Sequence, residues 1–336
     1  MSCNLRFYLV LLFFLFLVVA IISDGYIIYA VVIFCNKLII YIERMKKFMT
    51  KKVAVFNDLS GFGRCSLTAA IPVLATLGIQ CNPIPTMVLT GQGGYAVSFR
   101  KDLTDMLDDY TNAWKANNAF FDGIYTGYLT GPTQIASVFR FLQEFRKSDT
   151  FLLVDPVMGD NGKTYKIYSE ELLCSMKKLS QQANLITPNL TEACLLSDVP
   201  FEEVFSISDK ERLLNKVEEL AKLLRTKATV KQDIIITGVK VKDDINSFVY
   251  NVALTDEGIS YFSSHLFDKS FSGTGDLFSS TMCGLRLNGY PTKEALKIAG
   301  NFLYHSISDT MNGIVDGNDG IEFERHLGEL FSYMAH

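Results

Sequence analysis

Ser272-Gly273-Thr274-Gly275-Asp276 runs directly into Leu277-Phe278-Ser279-Ser280-Thr281-Met282, so two glycines around a threonine open a helical pattern. Glycine lets the backbone turn tightly and approach a ligand with no side chain between. The first amides of a helix have no intrahelical partner, so they point outward and, with the macrodipole, attract anions. Asp276 adds a carboxylate to that first turn. A carboxylate there repels a phosphate unless it has separate work, such as taking the proton of a hydroxyl that attacks phosphorus. The stretch alone also suits a plain capped helix whose acid favours the dipole. The rest of the chain decides between the two.

Val53-Ala54-Val55-Phe56 follows two lysines and reads as a first buried strand, and Asn57-Asp58-Leu59-Ser60-Gly61-Phe62-Gly63-Arg64 is the loop leaving it. A helical pattern over 67–77 ends at Gly78, and 79–85 and 87–89 read as extended chain. Thr90-Gly91-Gln92-Gly93-Gly94-Tyr95 is a second glycine-rich loop. Strand-like runs recur at 121–125, 151–154, 185–186 and 234–236, and small or polar residues follow each one. Strands alternating with helices predict right-handed crossovers and a mostly parallel sheet, with the ligand crevice beyond the carboxyl ends of its strands. Asp58, Asp155, Asn189 and Thr237 are therefore expected on one rim. The runs at 248–255 and 258–263 predict an antiparallel pair at the sheet edge. Helices are expected over 276–288 and 292–309, with a closing helix over 321–333.

The 336 residues carry a net charge of -4 and are 49% hydrophobic, which suits one large α/β domain with a substantial core. Mild acidity with no basic stripe argues against nucleic acid as the main partner. The seven cysteines, at 3, 35, 65, 81, 174, 194 and 283, never form Cys-x-x-Cys, a pattern of reduced thiols in a cytoplasmic protein. The four histidines have no other ligand type at metal spacing.

Residues 1–48 read as a hydrophobic N-terminal extension, and 49–336 as the functional domain. The uncharged run at 7–22 and the apolar run at 26–35 are each shorter than the ~20 residues of a spanning helix, although together they could make one tilted or broken span. Arg44, Lys46, Lys47, Lys51 and Lys52 would then hold the domain on the cytoplasmic side. The other reading is translated upstream sequence that the natural protein lacks, since Met45 and Met49 both precede the domain.

Two decoys fall away. Gly162-Lys163-Thr164 resembles the end of a phosphate-binding P-loop, but Val157 stands where that motif needs glycine. Gly61-Phe62-Gly63 follows a strand, but Ser66 replaces the third glycine of the dinucleotide fingerprint.

Four blocks together resemble the ribokinase-like small-molecule kinases, and within them the pyridoxal/pyridoxamine kinase branch. They are Asn57 to Arg64 with Ala69-Ala70-Ile71-Pro72, Asp155-Pro156-Val157-Met158-Gly159-Asp160, Ile186-Thr187-Pro188-Asn189 with Glu192, and Gly273-Thr274-Gly275-Asp276. The resemblance implies a three-layer α/β sandwich with a central, mostly parallel sheet, and ATP-dependent phosphorylation of the 5-hydroxymethyl group of pyridoxal, pyridoxamine or pyridoxine. It implies that Asp276 is the catalytic base and that Gly273, Thr274 and Gly275 form the anion hole for the γ-phosphate. Glu192, with Asn189, would organise Mg2+ and phosphates through water. Asp155 would support the same region, and Thr237 would contact the nucleotide phosphates. Asp58 and Ser60 would meet polar groups of the pyridine ring, and the loop containing Gln92 and Tyr95 would cover it. A homodimer is implied, and a monovalent cation is left open.

Two departures stand out. The branch often has threonine where this chain has Gln92-Gly93, so the ring contact falls to an amide or to backbone. The glutamate expected after Gly159-Asp160 is replaced by Asn161 or its neighbours. A lid is expected at 90–95 or 160–165. The near rival is a hydroxymethylpyrimidine kinase, a branch that usually carries cysteine where Asp276 stands. The rival from another class is a membrane-tethered, non-catalytic B6-binding protein, against which Asp276 and Glu192 argue.

Overall fold

Val53 and Val55 pack into one buried cluster, while Ala54 and Phe56, on the other side of the same strand, pack into a second. Leu153 against Leu152 and Val154, Leu185 against Ile186, and Ile235 against Ile234 and Ile236 divide in the same way. Side chains alternate across a strand, so a run apolar at every position must be covered on both faces. The result is a sheet between two helical layers. The computed structural model describes residues 37–38, 49–242, 247–313 and 315–334.

The strands are β1 (Lys52–Ser60), β2 (Gln80–Leu89), β3 (Arg100–Asp102), β4 (Gly123–Thr126), β5 (Phe151–Val154), β6 (Gly159–Asp160), β7 (Lys163–Thr164), β8 (Leu185–Ile186), β9 (Asp233–Lys242), β10 (Ser247–Thr255) and β11 (Gly258–His265). Nine of them form one sheet in the order β11-β10-β9-β8-β5-β4-β1-β2-β3, and β6 pairs with β7 as a separate hairpin. The neighbours β9-β8-β5-β4-β1-β2 are parallel, β3 runs antiparallel to β2, and β10 with β11 makes the expected antiparallel edge. After β1 and β2 the chain returns to the far side of β1 to lay down β4. The strand order therefore reverses between β1 and β4, which is where open α/β sheets gather their ligands.

One layer contains α1 (Ser66–Thr76), α8 (Thr274–Leu287), α9 (Thr292–Met311) and α10 (Leu327–Phe331). The other contains α2 (Leu107–Ala116), α3 (Pro132–Phe145), α4 (Glu170–Ser180), α5 (Leu190–Ser197), α6 (Phe201–Phe205) and α7 (Lys210–Thr226). Phe56 meets Phe141 edge-on, with ring centroids 5.0 Å apart at 84°, and so ties the strand that leads into the site to α3. Such a pair adds about 1 kcal/mol beyond the area it buries.

Three local features differ from the sequence reading. The closing segment is not one helix over 321–333: a 3-10 turn at Glu324–His326 precedes the short α10. Ile321 and Phe323 are both buried, and that two-residue spacing belongs to extended chain. Residues 159–164 form a hairpin around Asn161-Gly162, the pair that two-residue type I′ turns favour. β3 is an additional edge strand whose three residues are all exposed, so no apolar pattern marks it.

The described residues from Thr50 onward form one compact unit. Among the described residues no helix is long and apolar enough to cross a membrane. The apolar runs at 7–22 and 26–35 lie outside the described residues.

Candidate active site

Gly273 caps α8 in the left-handed region, at φ +80, and a Cβ there would lie 2.0 Å from the backbone oxygen of Arg64. Only glycine fits that close approach. It brings the start of α8 against the start of α1, where Ser66 also has a positive φ of 51. Thr274, Gly275 and Asp276 occupy the first turn of α8, so no carbonyl of their own helix is available to their amides. Asp276 is half-buried and accepts a hydrogen bond on Oδ1 from Asn57 Nδ2 at 2.9 Å. Burial, and then the Asp58 carboxylate, push Asp276 up to about 6, against the Ser66 amide and the Asn57 amide, which favour its charged form.

Asp58 is buried at the end of β1, and hydroxyls take both of its oxygens: Ser66 at 2.5 Å on Oδ1 and Ser60 at 3.0 Å on Oδ2. Burial nonetheless raises its proton affinity. Ser60 faces the cleft through this bond. Cys65, beside them, has its thiol pushed up to about 12 by burial and by the Asp276 and Asp58 charges, so it is no nucleophile at neutral pH.

A second acidic group lies across the crevice. Asn189 and Glu192 close a reciprocal cap at the start of α5: Asn189 Oδ1 accepts from the Glu192 amide at 3.0 Å, and Glu192 Oε2 accepts from the Asn189 amide at 2.9 Å. Glu192 Oε1 takes the Met158 amide at 3.0 Å, and Asn189 Nδ2 donates to the Gly159 carbonyl at 2.7 Å. Asp155 Oδ2 accepts from Ser279 at 3.0 Å, and Ser279 shares a hydrogen bond with Thr187. Thr237, bridged to Asn189, completes this side. Burial first, and the Asp276 charge second, push Asp155 up to about 7. Burial and Asp155 hold Glu192 well above the usual carboxylate range.

That crowding has a measurable consequence. A carboxyl whose folded pKa lies above its ordinary value of 3.8 loses its stabilising effect as pH rises through about 7. Asp155→Asn removes the penalty. It is expected to leave Tm nearly unchanged at acid pH and to raise it by roughly 3 °C at weakly alkaline pH, as read by calorimetry without nucleotide.

The cleft measures about 1040 Å³, and every site residue named from the sequence lines it except Tyr95. Gln92 points its amide at the loop after α9, donating to Asn318 Oδ1 at 2.9 Å, while its own Oε1 takes the Gly94 amide at 2.7 Å. Tyr95 turns outward: its hydroxyl bonds Asp319 and its ring lies 5.4 Å from Phe62. The glycine-rich loop is thus tied to 318–319 by two side chains, one of which faces the cleft.

Reading the sequence missed Ser279, Lys240 and Arg100 and gave Asn57 no role. Ser279 had no signal of its own, because it stands in a run of three polar residues, Ser279-Ser280-Thr281, of which it alone meets Asp155. Lys240 also lines the cleft and donates to Asn161 Oδ1 at 2.7 Å, so the hairpin that lacks the expected glutamate is held by a cation. Among the described residues no group of three or more His, Cys, Asp or Glu side chains is placed to hold a metal.

The family profile described as phosphomethylpyrimidine kinase matches residues 106–318. A Bacteroides thetaiotaomicron protein named for that family, solved in a form with pyridoxal, is 35% identical with a TM-score of 0.77, and the match covers 84% of this chain and 96% of that one. Pyridoxal kinase from Lactobacillus plantarum is 26% identical with a TM-score of 0.75, covering 84% of this chain and 98% of its own. A Schizosaccharomyces pombe protein named as a pyridoxal kinase is 25% identical over 237 residues, 69% of this chain and 73% of its own length.

Proposed function

Because the chain belongs to the phosphomethylpyrimidine kinase family and has the ribokinase-like fold expected from its sequence, we propose that it transfers the γ-phosphoryl group of ATP to the 5-hydroxymethyl group of a B6 vitamer. The observation that carries this reading is the Asp276 carboxylate, set among the free amides of α8 in a cleft large enough for two ligands. Asp276 takes the hydroxyl proton as the oxygen attacks phosphorus, and the amides of 274–276 offset the charge spreading over the phosphoryl oxygens. The vitamin side is built from Asp58, Ser60 and Gln92, and the nucleotide side from Asn189 and Thr237.

The donors around Asp155 and Glu192 suit Mg2+, a hard cation bound through one or two carboxylates together with substrate phosphates. Both acids are buried and repel each other, as residues built to face a cation would. Bound there, Mg2+ would neutralise phosphate charge. Residues 49–336 form the kinase domain of this proposal, which extends by resemblance to a homodimer.

The base must be ionised to act. With Asp276 raised to about 6, kcat/KM should fall about tenfold per unit as pH drops below that value. A pH profile of ADP release with pyridoxal measures this, and a rate that stays flat well below that limb removes Asp276 from the role. Hydroxymethylpyrimidine or its phosphate remains the second reading because the matching family profile is described as phosphomethylpyrimidine kinase. Supplying it beside pyridoxal under the same assay separates the two.

A further inference from the structure

Asn57 is fully buried, and every polar atom of its side-chain amide is committed. Its Oδ1 accepts from the backbone amides of Asp58, at 3.0 Å, and Tyr128, at 2.9 Å. Turning the amide over would face its NH2 group against two N–H donors, so the orientation is fixed by donor and acceptor chemistry. The Nδ2 end must therefore donate, and its acceptor is Asp276, 219 residues away. The loop leaving β4 makes room for this. A Cβ on Gly127 would sit 2.5 Å from Asn57 Nδ2.

We propose that Asn57 is a positioning residue for phosphoryl transfer: fixed from behind by two backbone amides at the β1–β4 reversal, it holds one oxygen of the Asp276 carboxylate so that the base stays aimed into the cleft. The inference rests on the kinase reading and deepens it. The groups that face Asp276 are the Asp58 and Asp155 carboxylates, the Cys65 thiol, the Tyr125 and Tyr165 hydroxyls and the Ser66 amide. Against that largely acidic surrounding, a donor on the base also favours its ionised form.

Two variants test the role. Asn57→Asp keeps an acceptor for the Asp58 and Tyr128 amides but sets an oxygen against Asp276, whereas Asn57→Ala removes the whole amide. Each is expected to lower kcat for phosphoryl transfer about 100-fold, with both KM values and calorimetric ADP binding within about threefold of wild type. In Asn57→Ala the acid limb of the pH profile should also move up by about one unit. Wild-type kcat in Asn57→Asp overturns the proposal. So does a parallel loss of ADP binding in both variants, which would make Asn57 a brace for the turn. If the wild-type chain transfers phosphate to no hydroxymethyl substrate, the kinase reading itself falls, and that outcome is visible before any variant is made.

Discussion

Asp276→Asn should abolish turnover, with kcat for pyridoxal down by about 1,000-fold or more, while the protein stays folded and binds nucleotide almost as before. The amide is nearly isosteric, and its oxygen can still accept from Asn57 Nδ2. What it cannot do is take a proton from the attacking hydroxyl. Removing the charge also relieves repulsion with Asp58, so Tm should hold or rise slightly. Single-turnover phosphoryl transfer, followed with ADP binding by calorimetry, distinguishes a lost base from a lost site. A variant that binds ADP and retains wild-type kcat would leave the charge spread of the transition state as the whole of catalysis and Asp276 as a helix-capping acid.

Gly273→Ala is the second large effect, and it acts through backbone alone. The added methyl would enter a left-handed position and lie 2.0 Å from the Arg64 carbonyl oxygen. The conformational penalty alone is about 1–2 kcal/mol, and the clash forces the start of α8 away from the start of α1. The amides of 274–276 then lose their aim, and Asp276 moves relative to Asn57. Tm should drop by several degrees, and kcat/KM for ATP by at least about 100-fold. The contrast with Asp276→Asn is informative, because one variant loses chemistry in an intact site and the other loses the site. Equal ATP affinity in Gly273→Ala and wild type would show that the α8 turn does not bind phosphate.

Much of this arrangement could be read from the chain because the informative features are local. Uniformly apolar runs at 53–56, 151–154 and 234–236 demand cover on both faces, so a parallel sheet between helices follows from residue type alone. Gly273-Thr274-Gly275-Asp276 announces a tight turn into a helix with free leading amides without reference to anything distant. Asn161-Gly162 was likewise a legible hairpin signal, obscured by its likeness to the end of a P-loop.

The remainder depends on contacts that no local pattern encodes. Asn57 meets Asp276 only because the strand order reverses between β1 and β4, and Ser279 reaches Asp155 across 124 residues of sequence. Tyr95 belongs by position to the same glycine-rich loop as Gln92, yet its hydroxyl is taken by Asp319, so it faces away from the cleft that Gln92 lines. The closing helix is shortened by burial of Ile321 and Phe323, whose spacing is extended while the surrounding composition is helical.

The most direct measurement is the mass of the product formed when the purified chain is supplied with ATP, Mg2+ and, in separate reactions, pyridoxal, pyridoxamine, pyridoxine and hydroxymethylpyrimidine. Addition of one phosphoryl group to the hydroxyl oxygen of the 5-hydroxymethyl group of a B6 vitamer, with one ADP released per product, is the expected result. Phosphorylation of hydroxymethylpyrimidine alone, or ATP turnover with no phosphorylated product, would contradict it.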